Sequence, residues 1–176
     1  AGKSTMLRSF SRARPKVADY PFTTLSPHLG IAELSRHRRL VIADIPGLIE
    51  GAAGGAGLGH DFLRHIERTE RIVHVVDVMP FDESDPLSNY RTIRSELEAY
   101  SPTLAQKPET IVLNKIDLVP EQDRAEFLES LLDALGCDRR PLVMSGLTGE
   151  GGEALLEKLW SDIHDAPDAG WSSSQD

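Results

Sequence analysis

The sequence predicts an α/β fold, with a mostly parallel sheet covered by helices on both faces and one antiparallel hairpin at its edge. Three features point there. Four short apolar runs are nearly continuous, "LVIAD" from Leu40, "IVHVVDV" from Ile72, "TIVLN" from Thr110 and "PLVMS" from Pro141, which suits strands covered on both sides. Helical stripes of apolar residues follow these runs. A further segment, "LGIAELS" from Leu29, alternates weakly and meets the Leu40 run across a short polar turn, as a hairpin does.

Each helix has its own signature. Leu58, Phe62, Leu63 and Ile66 share one face, as do Leu87, Tyr90, Ile93, Leu97 and Tyr100. Asp85 followed by Pro86 is a cap and first-turn pair for the second of these. Phe127, Leu128, Leu131, Leu132 and Leu135 form a third stripe, ended by Gly136, and Leu155, Leu156, Leu159, Trp160 and Ile163 a fourth. These stripes read as core packing. Strands alternating with helices imply right-handed crossovers, and ligands of such sheets sit at the carboxyl ends of the strands. The closing "DAPDAGWSSSQD" is poor in apolar residues and reads as a loose tail or linker.

With 176 residues and 40% hydrophobic content, the chain suits one ordinary core. No apolar run approaches the roughly 18 residues that a membrane span requires, and the lone Cys137 permits no internal disulfide, so a reducing cytoplasmic setting fits. Nineteen Lys and Arg stand against 28 Asp and Glu, and the net charge of −9 opposes indiscriminate or sequence-specific DNA binding. Two basic clusters, Arg8 with Arg12, Arg14 and Lys16, and "RHRR" at Arg36 to Arg39, read as solvated faces.

The chemistry-bearing motifs fall where the sheet rule puts them. The opening "AGKST" fits the closing half of the phosphate-loop pattern GxxxxGK[ST], in which backbone N–H groups cradle phosphates, a lysine neutralises them and a hydroxyl ligates magnesium. So short a match fits an exposed helix start equally well. After "LVIA" comes "DIPG", Asp44 to Gly47; such an aspartate can hold magnesium through water and the glycine can offer its N–H to a terminal phosphate, although alone the motif is an ordinary turn. After "TIVL" comes "NKID", Asn114 to Asp117. Guanine presents N1–H and its N2 amine side by side, and one carboxylate, here Asp117, can accept both, whereas adenine has no such donor pair. Asn114 can bond the base edge or tie this loop to the phosphate loop, and the Lys115 stem can lie along the base plane. The order of the motifs, Lys3 and Ser4, then Asp44, then Asn114 with Asp117, is what lifts them above chance.

This constellation resembles the G domain of translation-factor-class GTPases. "ADYPFTTLSPHLG" from Ala18, "DIPGLIEGAAGGAGLGHDFLRHIERT" from Asp44 and "DPLSNYRTIRSELEAYSPTLAQKPETIVLNKIDL" from Asp85 are similar to the Obg family, and the resemblance runs from Ala1 to about His164. It implies a P-loop NTPase G domain over residues 1–165, lacking its first strand and the start of its phosphate loop, with 166–176 as a tail. It implies GTP hydrolysis to GDP with Mg2+, and the large ribosomal subunit as partner during its assembly.

The resemblance also implies roles for residues. Ala1, Gly2, Lys3, Ser4 and Thr5 would be the second half of the phosphate loop, Lys3 meeting the β- and γ-phosphates. Ser4, Thr24 and Asp44 would hold magnesium. Phe22, Thr23, Thr24 and Leu25 would form the core of the first switch, and Asp44, Ile45, Pro46 and Gly47 would begin the second, with Lys3, Thr24 and Gly47 catalytic. Asn114, Lys115, Ile116 and Asp117, then Ser145, Gly146 and Leu147, would surround the base. Gly51, Gly54, Gly55, Gly57 and Gly59 give the second switch backbone freedom.

Where Ras-like enzymes place a water-orienting glutamine, this chain has Leu48 and Ile49; the Obg family shares this apolar replacement, and the resemblance therefore implies slow intrinsic hydrolysis accelerated by a partner. It also keeps open a non-enzymatic GTP/GDP sensor. His28 and His60, near the switches, read as structural. The family's Ser-Ala after the last strand is Ser145-Gly146 here, which keeps the N–H for the guanine carbonyl in a floppier loop. An ATP-using relative is the third reading, and the intact "NKID" argues against it.

Overall fold

A computed structural model describes residues 2–10, 29–45, 66–135 and 141–164. The chain opens with helix α1 (Lys3–Phe10), whose Met6 and Leu7 are buried. Strands β1 (Leu29–Ser35) and β2 (Arg38–Ala43) form an antiparallel hairpin in which Ile31 faces Val41 and Ala32 faces Leu40. Strands β3 (Ile72–Asp77), β4 (Glu109–Asn114) and β5 (Leu142–Met144) form a parallel ladder with β4 in the middle. Helices α2 (Pro86–Tyr100) and α3 (Pro102–Ala105) lie between β3 and β4, α4 (Arg124–Leu135) between β4 and β5, and α5 (Gly152–His164) after β5.

Burial along β4 is unbroken from Thr110 to Asn114, as expected of a strand covered on both faces. Its alternate residues enter opposite layers. Val112, with Val75 of β3, joins the core formed with Met6 of α1 and Leu155, Leu156 and Leu159 of α5. Ile111 and Leu113, with Val76, join the core that includes Leu131 of α4, and Ile66, Ile72, Leu97 and Leu104 form a third cluster.

The Leu40 run departs from expectation. Leu40 is buried, but Val41 is 69% exposed and Ile31, its register partner, 42%. The inner residues Ala32 and Leu40 face the core shared with α1 and α5; on the other face only the end of β2 is packed among the described residues, where Ala43 meets the cluster of Ile66, Ile72, Leu97 and Leu104. Among the described residues β2 and β3 share no ladder; hairpin and parallel sheet are joined through that core.

Arg38 joins them as well. It reaches Glu157 of α5 through two hydrogen bonds of 2.7 and 2.9 Å and lies 6.0 Å from the centre of the Trp160 ring. The "RHRR" cluster is thus only partly a solvated turn.

Capping follows the sequence. Asp85 accepts the Ser88 N–H at 2.8 Å, with Pro86 in the first turn of α2. Ser101 closes α2 by donating its N–H to Leu97 and opens α3 by accepting the Leu104 N–H at 3.2 Å. Leu58, Phe62, Leu63 and Gly136 lie outside the described residues, as does the closing segment 165–176. No helix among the described residues is long and apolar enough to cross a membrane.

Candidate functional site

Four pieces of backbone converge: the start of α1 and the carboxyl ends of β2, β4 and β5. Gly2, at φ +81°, bends the chain into α1; a Cβ there would sit 2.8 Å from Asn114 Nδ2, so both the turn and the close approach require glycine. Asn114 is 2% exposed. Its Oδ1 accepts the N–H of Gly146 at 2.8 Å, and one side chain thereby links the loop after β4 to the loop after β5 and lies against the start of α1.

Lys3 turns toward β2. Its Nζ donates to the carbonyl of Ile45 at 2.9 Å and lies 3.2 Å from Asp44 Oδ1. Asp44 is 8% exposed, and Oδ1 has the ion pair with Lys3 but no hydrogen-bond partner among the described residues. Buried carboxylate oxygens are normally satisfied, so this one is suited to a cation beyond Lys3. Ser4 and Thr5, in the first turn of α1, are exposed, where hydroxyls stay accessible beside the positive end of a helix.

The turn after β4 carries its own strain. Lys115 has φ +72°, left-handed for a residue with a Cβ, and Ile116–Leu118 follow as a 3-10 turn in which Ile116 is fully buried. Asp117 lies in that turn, and its Oδ1 is buried without a hydrogen-bond partner among the described residues. Lys115 Nζ meets Asp77 Oδ2 at 2.6 Å, across from the last residue of β3. Sequence reasoning did not single out Asp77, although it is an acid closing a strand beside the "NKID" strand, which is where the sheet rule looks.

The loop after β5 is held by hydrogen bonds around Ser145. Ser145 is fully buried; its N–H donates to Glu150, its carbonyl accepts from Gly149 and its hydroxyl oxygen accepts the Thr148 N–H at 3.1 Å. With Asn114 on Gly146, this network ties the loop to the end of β4. The Gly146 N–H, assigned in the sequence reading to the guanine carbonyl, is here directed at Asn114 Oδ1. Leu147 is 80% exposed at the mouth of the site. Ala1, Phe22, Thr23, Thr24, Leu25, Pro46 and Gly47 lie outside the described residues, as do Leu48, Ile49, the switch glycines, His28 and His60.

Known proteins bear on the family and the fold. A family model described as 50S ribosome-binding GTPase matches residues 1–115. A protein named GTPase Obg from Aquifex aeolicus is 54% identical over 168 residues, and one of the same name from Acidithiobacillus ferrooxidans is 48% identical over 169. Each alignment takes in 96% of this chain, and 48% and 45% of the respective relatives, so the chain spans about half the length of the curated relatives it matches. Among solved structures, an Aquifex aeolicus Era variant bound to GDP and AlF4− superposes with a TM-score of 0.61 at 18% identity, over 91% of this chain and 52% of that one. That likeness carries the P-loop G-domain fold. The family match and the two Obg relatives go further: this chain belongs to the 50S ribosome-binding GTPase family, as a G domain of its Obg branch.

Proposed function

We propose that this chain is a magnesium-dependent switch that binds guanine nucleotides and hydrolyses GTP to GDP and phosphate. The observation that carries the reading is the buried Asp117 Oδ1 with no hydrogen-bond partner among the described residues. Leaving such an oxygen without a donor is costly, and guanine brings two donors on one edge. On this reading Asp117 accepts N1–H and the N2 amine, the Lys115 stem flanks the base, and Asn114 holds the surrounding loops together.

The phosphate end follows from Lys3. An entering β,γ-phosphate competes for the ammonium group with Asp44 and the Ile45 carbonyl, and its transfer to the phosphates leaves Asp44 for the metal shell. Ser4, Thr24 and Asp44 are the proposed metal holders, and Asp44 fits because it is buried and its Oδ1 has no hydrogen-bond partner among the described residues. Magnesium, when bound, offsets phosphate charge and stabilises the leaving oxygens. Lys3 adds positive charge near the transferred phosphoryl group, and Gly47 offers its N–H to it. Residues 1–165 would act as the G domain, with 166–176 as a tail.

The family description, a 50S ribosome-binding GTPase, supports the large ribosomal subunit as partner; action in that subunit's assembly, in the cytoplasm, belongs to the same proposed reading. Leu48 and Ile49, where a water-orienting side chain would stand, favour a second reading, a sensor whose occupancy rather than turnover gates that partner. Single-turnover assays of the full-length protein, with and without large subunits, separate the two: phosphate release in neither condition leaves only the sensor. The guanine reading itself is tested by titrating GTP, GDP and ATP, and by Asp117→Asn, expected to weaken GTP and favour xanthosine triphosphate, whose extra carbonyl replaces the amine. Equal affinity for ATP and GTP would overturn it.

A further inference from the structure

The last residues of β3 and β4 lie side by side, Asp77 paired in register with Asn114. Asp77 is 15% exposed and both of its carboxylate oxygens are engaged: Oδ1 accepts the Met79 N–H at 3.1 Å, and Oδ2 receives Lys115 Nζ at 2.6 Å. The carboxylate is therefore fixed in orientation, and it fixes the tip of Lys115 by a short charge-assisted hydrogen bond. Lys115 is also the residue whose left-handed backbone, at φ +72°, turns β4 into the 3-10 turn that bears Asp117.

A non-glycine residue keeps that conformation only where its surroundings over-determine it. A lysine held at both ends, by backbone and by Nζ, meets that condition. Such a pair, with Lys115 about one-third exposed, contributes little to global stability, so its effect is on the shape of the turn.

We propose that Asp77 is a positioning residue for guanine recognition: through Lys115 it holds the 114–117 turn so that Asp117 is aimed at the base edge and the lysine stem forms a wall for the base. The role rests on the guanine-nucleotide reading above. Asp77 touches no nucleotide itself; it acts only through Lys115.

The test uses the full-length protein and fluorescent derivatives of GDP and ADP. Asp77→Asn keeps an oxygen for the Met79 N–H but removes the charge that holds Nζ, and Lys115→Met keeps a stem without the ammonium group. Asp77→Asn is expected to weaken GDP about ten-fold, with the nucleotide-free melting temperature unchanged. Lys115→Met should lose a similar factor, and adding Asp77→Asn to it should change affinity less than about two-fold. Wild-type affinity in Asp77→Asn, an equal loss in both backgrounds, or a loss that tracks a lowered nucleotide-free melting temperature would each overturn the role. A wild-type protein that does not prefer GDP to ADP overturns the guanine reading and this role together, and that result is read before any variant is made.

Discussion

Gly146 and Gly151 bracket the loop after β5, and a methyl group meets opposite conditions at the two. At Gly146 a Cβ would lie 3.4 Å from the Met6 backbone nitrogen and 3.5 Å from Asn114 Oδ1, at the edge of ordinary contact and with no positive φ. Gly146→Ala should therefore fit, and by restricting the unfolded chain it should stabilise the protein by about 0.4–1 kcal/mol; a higher urea midpoint with an unchanged slope would show it. At Gly151, φ is +74° and a Cβ would sit 2.1 Å from the Val143 carbonyl oxygen. Gly151→Ala must shift the backbone where β5 hands over to α5, and it should cost at least about 2 kcal/mol on the same denaturation curve. The sequence marks both positions as glycine but does not distinguish them, because the difference lies in the backbone conformation and in what the fold places opposite each, Met6 and Asn114 in one case and Val143 in the other.

At the scale of elements, β3, β4 and α2 are held at one end by a buried polar cluster. Glu109 Oε1 lies 2.9 Å from His74 Nδ1 and 3.6 Å from Arg94 Nη1, and Oε2 accepts the Tyr90 hydroxyl at 3.0 Å. Burial pushes the Glu109 carboxyl up, but the hydrogen bond and charge of His74, the charge of Arg94 and the Tyr90 hydroxyl together hold it below the ordinary value of 4.5. A carboxyl depressed in the folded state contributes stability that is present above its unfolded pKa and lost as pH falls through the folded one. Glu109→Gln should thus lower the urea midpoint at pH 7, and its deficit against wild type should shrink as pH drops below the ordinary glutamate range; a deficit that does not change with pH would contradict the assignment. None of this cluster is legible in the sequence, since His74 and Glu109 meet only through strand register. The α2 cap is the reverse case: Asp85 and Pro86 announce it locally, and the structure forms it as read. Asp85→Ala should cost about 1 kcal/mol, measured by thermal or urea unfolding.

At the scale of the whole molecule, the proposed motifs are local in sequence and their couplings are not. "GKST", "DIPG" and "NKID" each carry their chemistry in a few adjacent residues, and the strand-end rule places them on one side of the sheet. The contacts of Asn114 with Gly146, Lys3 with Asp44 and Lys115 with Asp77 join residues far apart in the chain, so only the fold brings them together. The exposure of Val41 has a related cause: "LVIA" is apolar throughout, and which of its residues meet the core depends on what the fold packs against each face of the hairpin. These couplings bear on how the molecule responds to ligand. The hairpin and the parallel ladder share no hydrogen-bonded pairing among the described residues, so β1 and β2 should open locally more readily than β3 to β5. A bound Mg-GTP touching Lys3, Asp44 and Asp117 would bridge the two ladders, and at one hundred times its Kd it would stabilise the folded state by about 2.7 kcal/mol. Amide hydrogen exchange in the full-length protein should accordingly show faster exchange in residues 38–43 than in 110–114 without ligand, and marked slowing of 38–43 when Mg-GTP is added. Removing magnesium with EDTA should reverse most of that slowing while leaving protection at 114–117, because the base contact does not depend on the metal. Protection confined to 114–117 even with magnesium present would mean that the β2 end takes no part in binding.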